Sequence, residues 1–506
     1  MNIKRAKEEI KNTIEAYLTK DEYGAYAIPA IRQRPVLLIG PPGVGKTQIM
    51  EQISQECQVG LVAYTITHHT RQSAIGLPFI QERIYGDRRY SVTEYTMSEI
   101  VASIYDKIEQ TGLREGILFI DEINCVSETL APTMLQFLQC KTFGSHSIPE
   151  GWIIVAAGNP PEYNKSVRDF DIVTLDRLKL IYVEPDFGVW KEYAHQVEIH
   201  PAIISYLDVK TQYFCRIETT VDGKMFATPR GWEDLSRLIT VYETLHKEVD
   251  RDVIFQYIQH GKIAKDFANY LELYYKYEQD YQVDEILSGT IRESVCDRLS
   301  RAPFDERISV MSLLLAKLGG QFKEVWEQAE LLERLMSLLR QMNPEGNAAS
   351  ESAVHFADAQ EKLASIVSGV FVERNYKKEA KLLSRGEDHF YQKLLRMLEQ
   401  YLQTIKSEHL TGEEEVWDRL RELFAMENDR YEEAFSLGGQ MLEYGFDFME
   451  AAFGTGQEMV VFVTGLNNGY FSMKFLQEYR CDRYLEYNKK LLFDDREKEL
   501  RAKIES

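Results

Sequence analysis

Eight consecutive residues near the start of the chain have the composition of a phosphate-binding loop. Gly40-Pro41-Pro42-Gly43-Val44-Gly45-Lys46-Thr47 matches the pattern G-x4-G-K-[ST], between the apolar run Val36–Ile39 and a helical stretch. Glycines allow successive backbone N–H groups to turn towards phosphate oxygens, and the following helix N-terminus adds positive potential. Lys46 is expected to reach the β and γ phosphates, and Thr47 to bind Mg²⁺. The loop therefore predicts nucleotide binding.

A second group of chemically active residues follows another apolar run. The segment 117–120 ends in Asp121-Glu122, two consecutive carboxylates. Asp121 is expected to hold Mg²⁺, and Glu122 to orient or deprotonate the attacking water. An apolar run that ends in Asp-Glu is also common at an ordinary strand boundary, so this assignment depends on the loop at residues 40–47. Together the two motifs predict Mg²⁺-dependent nucleotide hydrolysis.

Two further polar residues could complete such a site. Asn159 follows the apolar run Trp152–Gly158, and its amide could bind the γ-phosphate or the lytic water. Arg230 falls in the first turn of a helix that Thr228 caps and Pro229 begins. A first-turn arginine is unfavourable for the helix dipole, which suggests phosphate contact. A turn initiator at Asn159 and an ordinary solvated arginine at Arg230 are the alternatives.

The elements that would position these residues are short apolar runs alternating with helical segments as far as Pro185. The predicted strands are Val36–Ile39, Leu61–Ile66, Ile117–Ile120, Ile153–Ala157 and Leu180–Val183. Unbroken apolar runs of this length suit strands buried on both faces, which predicts a mostly parallel sheet with helices on both faces. After Pro185 the strand signals stop. Helical periodicity then predominates, as in Val325–Arg340 and Phe390–Ile405.

The composition limits the classes of function. The net charge of −21 disfavours non-specific attraction to nucleic acid or to anionic lipid. The six cysteines have no CxxC spacing, which argues against a disulfide framework and a zinc site and favours a reducing cytoplasm. The apolar runs are too short to span a bilayer, so no membrane insertion is expected. We therefore expect a cytoplasmic protein that is unlikely to bind nucleic acid.

In their order along the chain, these motifs resemble those of AAA+ ATPases, and within them the MoxR type of the helix-2-insert clade. The resemblance covers about residues 1–250. Asp121-Glu122-Ile123-Asn124 is similar to the Asp-Glu-Ile-Asn signature of MoxR proteins, and Asn159-Pro160 is similar to the sensor-1 segment. The resemblance implies an α/β P-loop AAA+ core and a small helical lid that carries Arg230 as sensor 2. It also implies ATP and Mg²⁺ as the cofactors.

The resemblance implies residues that act between subunits. Residues 174–178 are similar to the segment whose arginine enters a neighbouring subunit's site, so Arg177 is the candidate. Arg168 is the alternative, and an ordinary surface arginine is the third possibility. Residues 72–95 predict a β-hairpin and resemble the insert that projects into the ring pore, an ornamental surface hairpin being the alternative. Cys125 stands where MoxR proteins often have a basic residue, so a salt bridge between subunits is not expected there.

A chain of 506 residues is too long for one hydrophobic core. We predict an AAA+ α/β nucleotide-binding domain at 1–186, a helical lid at 187–250 and a helical region at 251–341. A linker at 342–352, rich in polar residues, precedes a helical C-terminal region at 353–506. The helical half after residue 250 contains no motif that indicates a chemical role.

The motifs and the resemblance together predict an ATP hydrolase that forms a ring, with a homo-hexamer expected. Resemblance to MoxR proteins implies a chaperone-like role in which a protein client is remodelled or activated, and a protein with a von Willebrand factor A domain is one candidate client. A nucleic-acid motor of the restriction or helicase type is the alternative, although the net charge argues against it. A nucleotide-gated scaffold is a third class, which Glu122 and Asn159 disfavour.

Overall fold

The computed structural model describes residues 1–68, 76–143, 146–163, 170–220, 223–343, 359–380 and 382–491. The chain divides into two compact units. The first comprises Met1–Val189 and Val372–Asp388, and the second comprises Trp190–Phe371 and His389–Ser506. Most of the predicted linker at 342–352 lies outside the described residues, and the boundaries predicted for the lid domain and for the two helical regions stay predictions. No helix in the described ranges is long and apolar enough to cross a membrane.

A five-stranded parallel sheet forms the centre of the first unit. The strands of this unit are β1 Val36–Ile39, β2 Gly60–Thr65, β3 Pro78–Tyr85, β4 Arg88–Tyr95, β5 Gly116–Asp121, β6 Thr142–Phe143, β7 His146–Ser147, β8 Trp152–Gly158 and β9 Lys179–Tyr182. The spatial order in the five-stranded sheet is β2-β5-β8-β1-β9. The predicted parallel sheet is therefore confirmed, with all five of its predicted strands.

Helices cover both faces of this sheet. They are α1 Ile3–Leu18, α2 Lys46–Cys57, α3 Glu99–Thr111, α4 Ala131–Cys140 and the short α5 Ile172–Leu175. Along β5, Ile117 and Phe119 belong to a core cluster with residues of α1 and α2. Leu118 and Ile120 belong to a second cluster with residues of α3 and α4. Because side chains alternate along a strand, an unbroken apolar run can supply two cores.

The predicted hairpin is present in the described part of residues 72–95. Strands β3 and β4 pair antiparallel from Pro78 opposite Tyr95 to Tyr85 opposite Arg88. Nearly all of its side chains are exposed, including the apolar side chains of Ile80 and Ile84. Residues 72–75 lie outside the described residues. A two-stranded hairpin with little burial has marginal stability by itself, so contact with another surface would stabilise it.

A segment from far along the chain belongs to the first unit. Residues Val372–Asp388 return to this unit after the long passage through the second. The buried Lys107 ammonium on α3 donates a hydrogen bond to the Ala380 carbonyl at 2.8 Å. The Tyr376 hydroxyl donates to the Thr111 carbonyl, at the end of α3, at 3.0 Å. The nucleotide-binding unit is therefore assembled from two separate stretches of sequence.

The chain from Phe187 onward is mainly helical, as predicted. Its helices are α6 Phe187–Gln196, α7 Pro201–Val209, α8 Pro229–Thr244, α9 Arg251–Tyr257, α10 Gly261–Tyr281, α11 Val283–Leu287, α12 Glu293–Arg301, α13 Phe304–Leu339, α14 Ala359–Glu379, α15 Arg385–Ser407, α16 Glu413–Phe453, α17 Gln457–Asn468 and α18 Tyr470–Glu478. The predicted helix at 390–405 lies within α15, and the one at 325–340 lies within α13 except for its last residue, Arg340.

One expectation about this region is wrong. Strand signals do not stop after Pro185, because β10 Arg216–Thr220 and β11 Gly223–Ala227 form an antiparallel hairpin. The β-branched residues Ile217 and Thr219 alternate with charged or polar neighbours there, which is a strand pattern. At five residues per strand, the pattern is too short to stand out among the surrounding helices.

Candidate active site

The predicted phosphate loop, the pair Asp121-Glu122 and Asn159 meet at the carboxyl ends of three neighbouring strands. The loop that begins at Gly40 follows β1, Asp121 ends β5, and Asn159 follows β8. In the sheet β8 lies between β5 and β1. Parallel strands present their carboxyl ends at one edge, which is where open α/β sheets bind ligands. The sheet order thus brings together residues that lie 119 positions apart at the extremes, Gly40 and Asn159.

The glycines of the loop have specific steric roles. Gly43 and Gly45 have φ angles of 79° and 90°, in the left-handed region that favours glycine. Gly45 caps the N-terminus of α2, which begins at Lys46. A Cβ atom at Gly40 would lie 2.6 Å from the Val183 carbonyl oxygen. The loop conformation therefore requires these glycines, and it directs the start of α2 towards the strand edge.

Lys46 connects the loop to the end of β8. Its side chain is only 8% exposed. The ammonium group donates hydrogen bonds to the Gly40 carbonyl at 2.7 Å and to the Pro41 carbonyl at 2.8 Å. It also donates to Asn159 Oδ1 at 2.9 Å. A single cation therefore lies between the loop and the amide that the sequence predicts to contact a γ-phosphate.

Thr47 and Asp121 are in direct contact. The Thr47 hydroxyl donates to Asp121 Oδ2 at 2.8 Å. The other carboxylate oxygen, Oδ1, accepts a hydrogen bond from the Glu122 backbone N–H at 2.9 Å. A hydroxyl and a carboxylate are hard oxygen ligands, and Mg²⁺ is usually bound by one or two protein oxygens together with phosphate and water. The donor set therefore fits Mg²⁺ bound with a nucleotide.

Glu122 adopts an uncommon backbone conformation. Its φ angle is 56°, in the left-handed region, which a non-glycine residue occupies at a cost. The Thr67 hydroxyl donates to Glu122 Oε2 at 3.0 Å. Thr67 lies just after β2, the strand that pairs with β5. No sequence motif identifies Thr67; its position just after the predicted strand Leu61–Ile66 is the signal that could have indicated it.

Arg177 is exposed and lies at the surface of the first unit. Its guanidinium donates to Gln139 Oε1 on α4. Nearby, hydrogen bonds from Thr174 are the main cause of a lowered pKa at Asp171, and the charge of Arg177 adds to them. The alternative finger, Arg168, lies outside the described residues. The choice between Arg177 and Arg168 therefore stays as the sequence left it.

Arg230 belongs to the second unit. It lies in the first turn of α8, where the Thr228 hydroxyl accepts a hydrogen bond from the Gly231 backbone N–H at 3.2 Å. This confirms the predicted cap and the predicted start of the helix at Pro229. The Arg230 side chain is exposed. Its assignment as sensor 2 stays a prediction.

The site consists of a phosphate-binding loop after β1 and a carboxylate pair at the end of β5. Both lie at one edge of a parallel sheet, which is the arrangement of a P-loop nucleotide-binding domain. Residues 35–178 match the family model described as AAA domain (dynein-related subfamily). The first unit therefore contains an AAA+ domain, a domain of the nucleotide-hydrolysing ATPase class.

The chain also shows a weak similarity to a solved structure. A RuvB mutant from Thermotoga maritima is 16% identical in sequence, with a TM-score of 0.28 over 51% of this chain and 69% of the RuvB chain. No curated protein matched the chain.

Proposed function

We propose that this protein hydrolyses ATP with Mg²⁺ in a homo-hexameric ring and uses the reaction to remodel or activate a protein client, as MoxR-type AAA+ proteins do. The observation that carries the ATPase part is the contact of Thr47 with Asp121 at 2.8 Å, with Glu122 as the next residue. This arrangement puts oxygen ligands for the metal beside a carboxylate that can accept a proton from water.

Each residue of the site has a separate role in this proposal. Backbone N–H groups of the loop at 40–47 bind the phosphates, and Lys46 neutralises part of their charge. When bound, Mg²⁺ supplies positive charge that offsets the charge on the phosphate oxygens. Glu122 orients the attacking water and accepts its proton, and Thr67 fixes the Glu122 carboxylate by a hydrogen bond. Asn159 orients the water or the γ-phosphate from the end of β8.

Two exposed features support action between subunits and on a client. The Arg177 guanidinium is exposed and its hydrogen bond is to an uncharged amide, Gln139, so it is available to a phosphate of a neighbouring subunit. The hairpin β3–β4 exposes Ile80, Ile84 and Tyr85 to more than half of their full extent. Exposed apolar side chains on a hairpin suit contact with a polypeptide.

The ATPase proposal is tested by three variants measured side by side. Glu122→Gln should bind ATP with Mg²⁺ normally and turn it over about a hundredfold or more slowly, because the proton acceptor is lost while the metal ligand is kept. Lys46→Ala should lose nucleotide affinity itself. Glu109→Gln, an equal charge change at an exposed position on α3, is the matched control and should behave as wild type. Near-normal turnover by Glu122→Gln would refute the assignment.

The client is sought with the same variant. Glu122→Gln loaded with ATP should retain the client, which is then identified by affinity capture against Lys46→Ala as the control. A protein retained only by Glu122→Gln supports remodelling of a protein. Retention of DNA or RNA instead of a protein would contradict the proposed class of client.

A further inference from the structure

Asn124 lies between the acidic motif and the end of β8. It belongs to the turn Ile123–Cys125 that follows Glu122, and its side chain is 5% exposed. The Asn124 side-chain N–H donates to the Asn159 backbone carbonyl at 2.7 Å. Asn159 in turn accepts, through its side chain, the hydrogen bond from Lys46 at 2.9 Å. Asn124 therefore contacts the backbone of a residue whose side chain belongs to the predicted site.

The orientation of this amide is fixed by its surroundings. Only the NH₂ group can face the Asn159 carbonyl, because two oxygens at this distance would repel each other. Asn124 Oδ1 is then buried without a hydrogen-bond partner among the described residues. An unsatisfied buried acceptor is unfavourable for folding, so general stability does not explain an asparagine at this position.

The absence of a side chain at Gly158 leaves the space that the Asn124 amide occupies. A Cβ atom at Gly158 would lie 2.5 Å from Asn124 Oδ1, 2.7 Å from Cγ and 2.9 Å from Nδ2. All three nearest atoms belong to Asn124. The last residue of β8 thus lacks a side chain at the point where the amide lies against it, and the amide is held close to the backbone that leads into Asn159.

We propose that Asn124 is a positioning residue for hydrolysis: it holds the backbone of Asn159 so that the Asn159 side chain keeps its place beside Lys46. This inference rests on the proposed ATPase function. Asn124 acts through Asn159, because its side-chain N–H donates to the Asn159 backbone carbonyl. Its loss should therefore lower kcat while leaving nucleotide affinity almost unchanged.

The test is a double-mutant cycle measured with MgATP. Asn124→Ala should lower kcat about tenfold, the effect of losing one buried hydrogen bond in the transition state, and should change the Kd for ATP less than about threefold. Asn124→Asp should lower kcat further, because a carboxylate would face the Asn159 carbonyl. In an Asn159→Ala background the carbonyl is still present but the positioned side chain is gone, so Asn124→Ala should add no more than about a twofold loss.

Gly158→Ala perturbs the same contact from the other side. Alone it should lower kcat, because its Cβ displaces the amide. Combined with Asn124→Ala the collision disappears, so the double variant should match Asn124→Ala alone instead of multiplying the two losses. Because relief of the collision would give the same pattern in a purely structural pair, this comparison supports positioning only if it appears in kcat while the Kd for ATP is almost unchanged.

Each outcome bears on the inference. If the wild-type protein hydrolyses ATP and both Asn124 variants have the same kcat as wild type, the positioning role is refuted and the ATPase proposal stays intact. The same holds if the Asn124 variants lose only melting temperature. Fully multiplicative losses in the Asn159 cycle would also overturn it. Absence of turnover in the wild-type protein would refute the ATPase proposal, and this inference with it.

Discussion

The substitution Gly40→Ala tests whether the phosphate loop depends on a close backbone contact. The new Cβ would lie 2.6 Å from the Val183 carbonyl oxygen and 3.1 Å from the Val183 Cβ. Val183 is 2% exposed, and its N–H donates to the Ile39 carbonyl at 2.8 Å, so it cannot move aside freely. Overpacking of this kind costs about 1–3 kcal/mol. For a unit of this size, we expect the unfolding temperature of the first unit to fall by roughly 2–12 °C.

The same substitution should also weaken nucleotide binding. The Gly40 carbonyl accepts a hydrogen bond from Lys46, so a displaced Gly40 moves the ammonium group. The assays are thermal unfolding without nucleotide and titration with a fluorescent ATP analogue. The matched control is Gly320→Ala in α13, where a Cβ would meet no atom within 4 Å. Removing a helix-interior glycine there should stabilise the second unit by about 0.5–1 kcal/mol. Unfolding of Gly40→Ala at the wild-type temperature would refute the steric argument.

Two other predictions concern assembly and pH. Arg177→Ala and Glu122→Gln should each be nearly inactive alone but should partly restore ATP turnover when mixed. In a mixed ring, some interfaces pair the intact site of one subunit with the intact arginine of its neighbour. An inactive mixture despite measured subunit exchange would contradict a role of Arg177 in trans. Burial lowers the pKa of His195 to about 4 from 6.5, so the unfolded chain binds more protons between these values. The unfolding free energy of the second unit should fall by ~3 kcal/mol as the pH decreases from 6.5 to 4. His195→Gln should remove most of this dependence in urea denaturation measured across that range, and an unchanged slope would contradict it.

The sequence predicted the sheet of the first unit well for a physical reason. Each strand is buried on both faces, so its apolar run is unbroken and stands out between helical segments. The hairpin β10–β11 was missed because each of its strands has only five residues. Over so short a stretch, alternation of apolar and polar residues is hard to distinguish from the mixed pattern of a surface helix. The return of residues 372–388 to the first unit could not be predicted, since no local pattern specifies which distant helix a given face contacts.

The part of the candidate site that lies in short continuous motifs could be predicted from the sequence. In the loop at 40–47 and in the pair Asp121-Glu122, the residue types and their order indicate the chemical role directly. The contacts of Thr67 and Asn124 depend on which strands are neighbours, and the order β2-β5-β8-β1-β9 is not contained in any single motif. The roles of Thr67 and Asn124 can be recognised only in the folded structure, where the ends of these strands lie at one edge of the sheet.

The return of residues 372–388 to the first unit has a consequence for synthesis of the chain on the ribosome. About 200 residues are added between Val189 and Asp388, which takes roughly 10–40 s at typical translation rates. During that interval the sheet can form, but the Lys107 ammonium on α3 has yet to receive its Ala380 acceptor. The nucleotide-binding unit is therefore completed only after most of the second unit has emerged. A gene fragment that ends near residue 250 would encode a chain that lacks residues 372–388, so its first unit would stay incomplete.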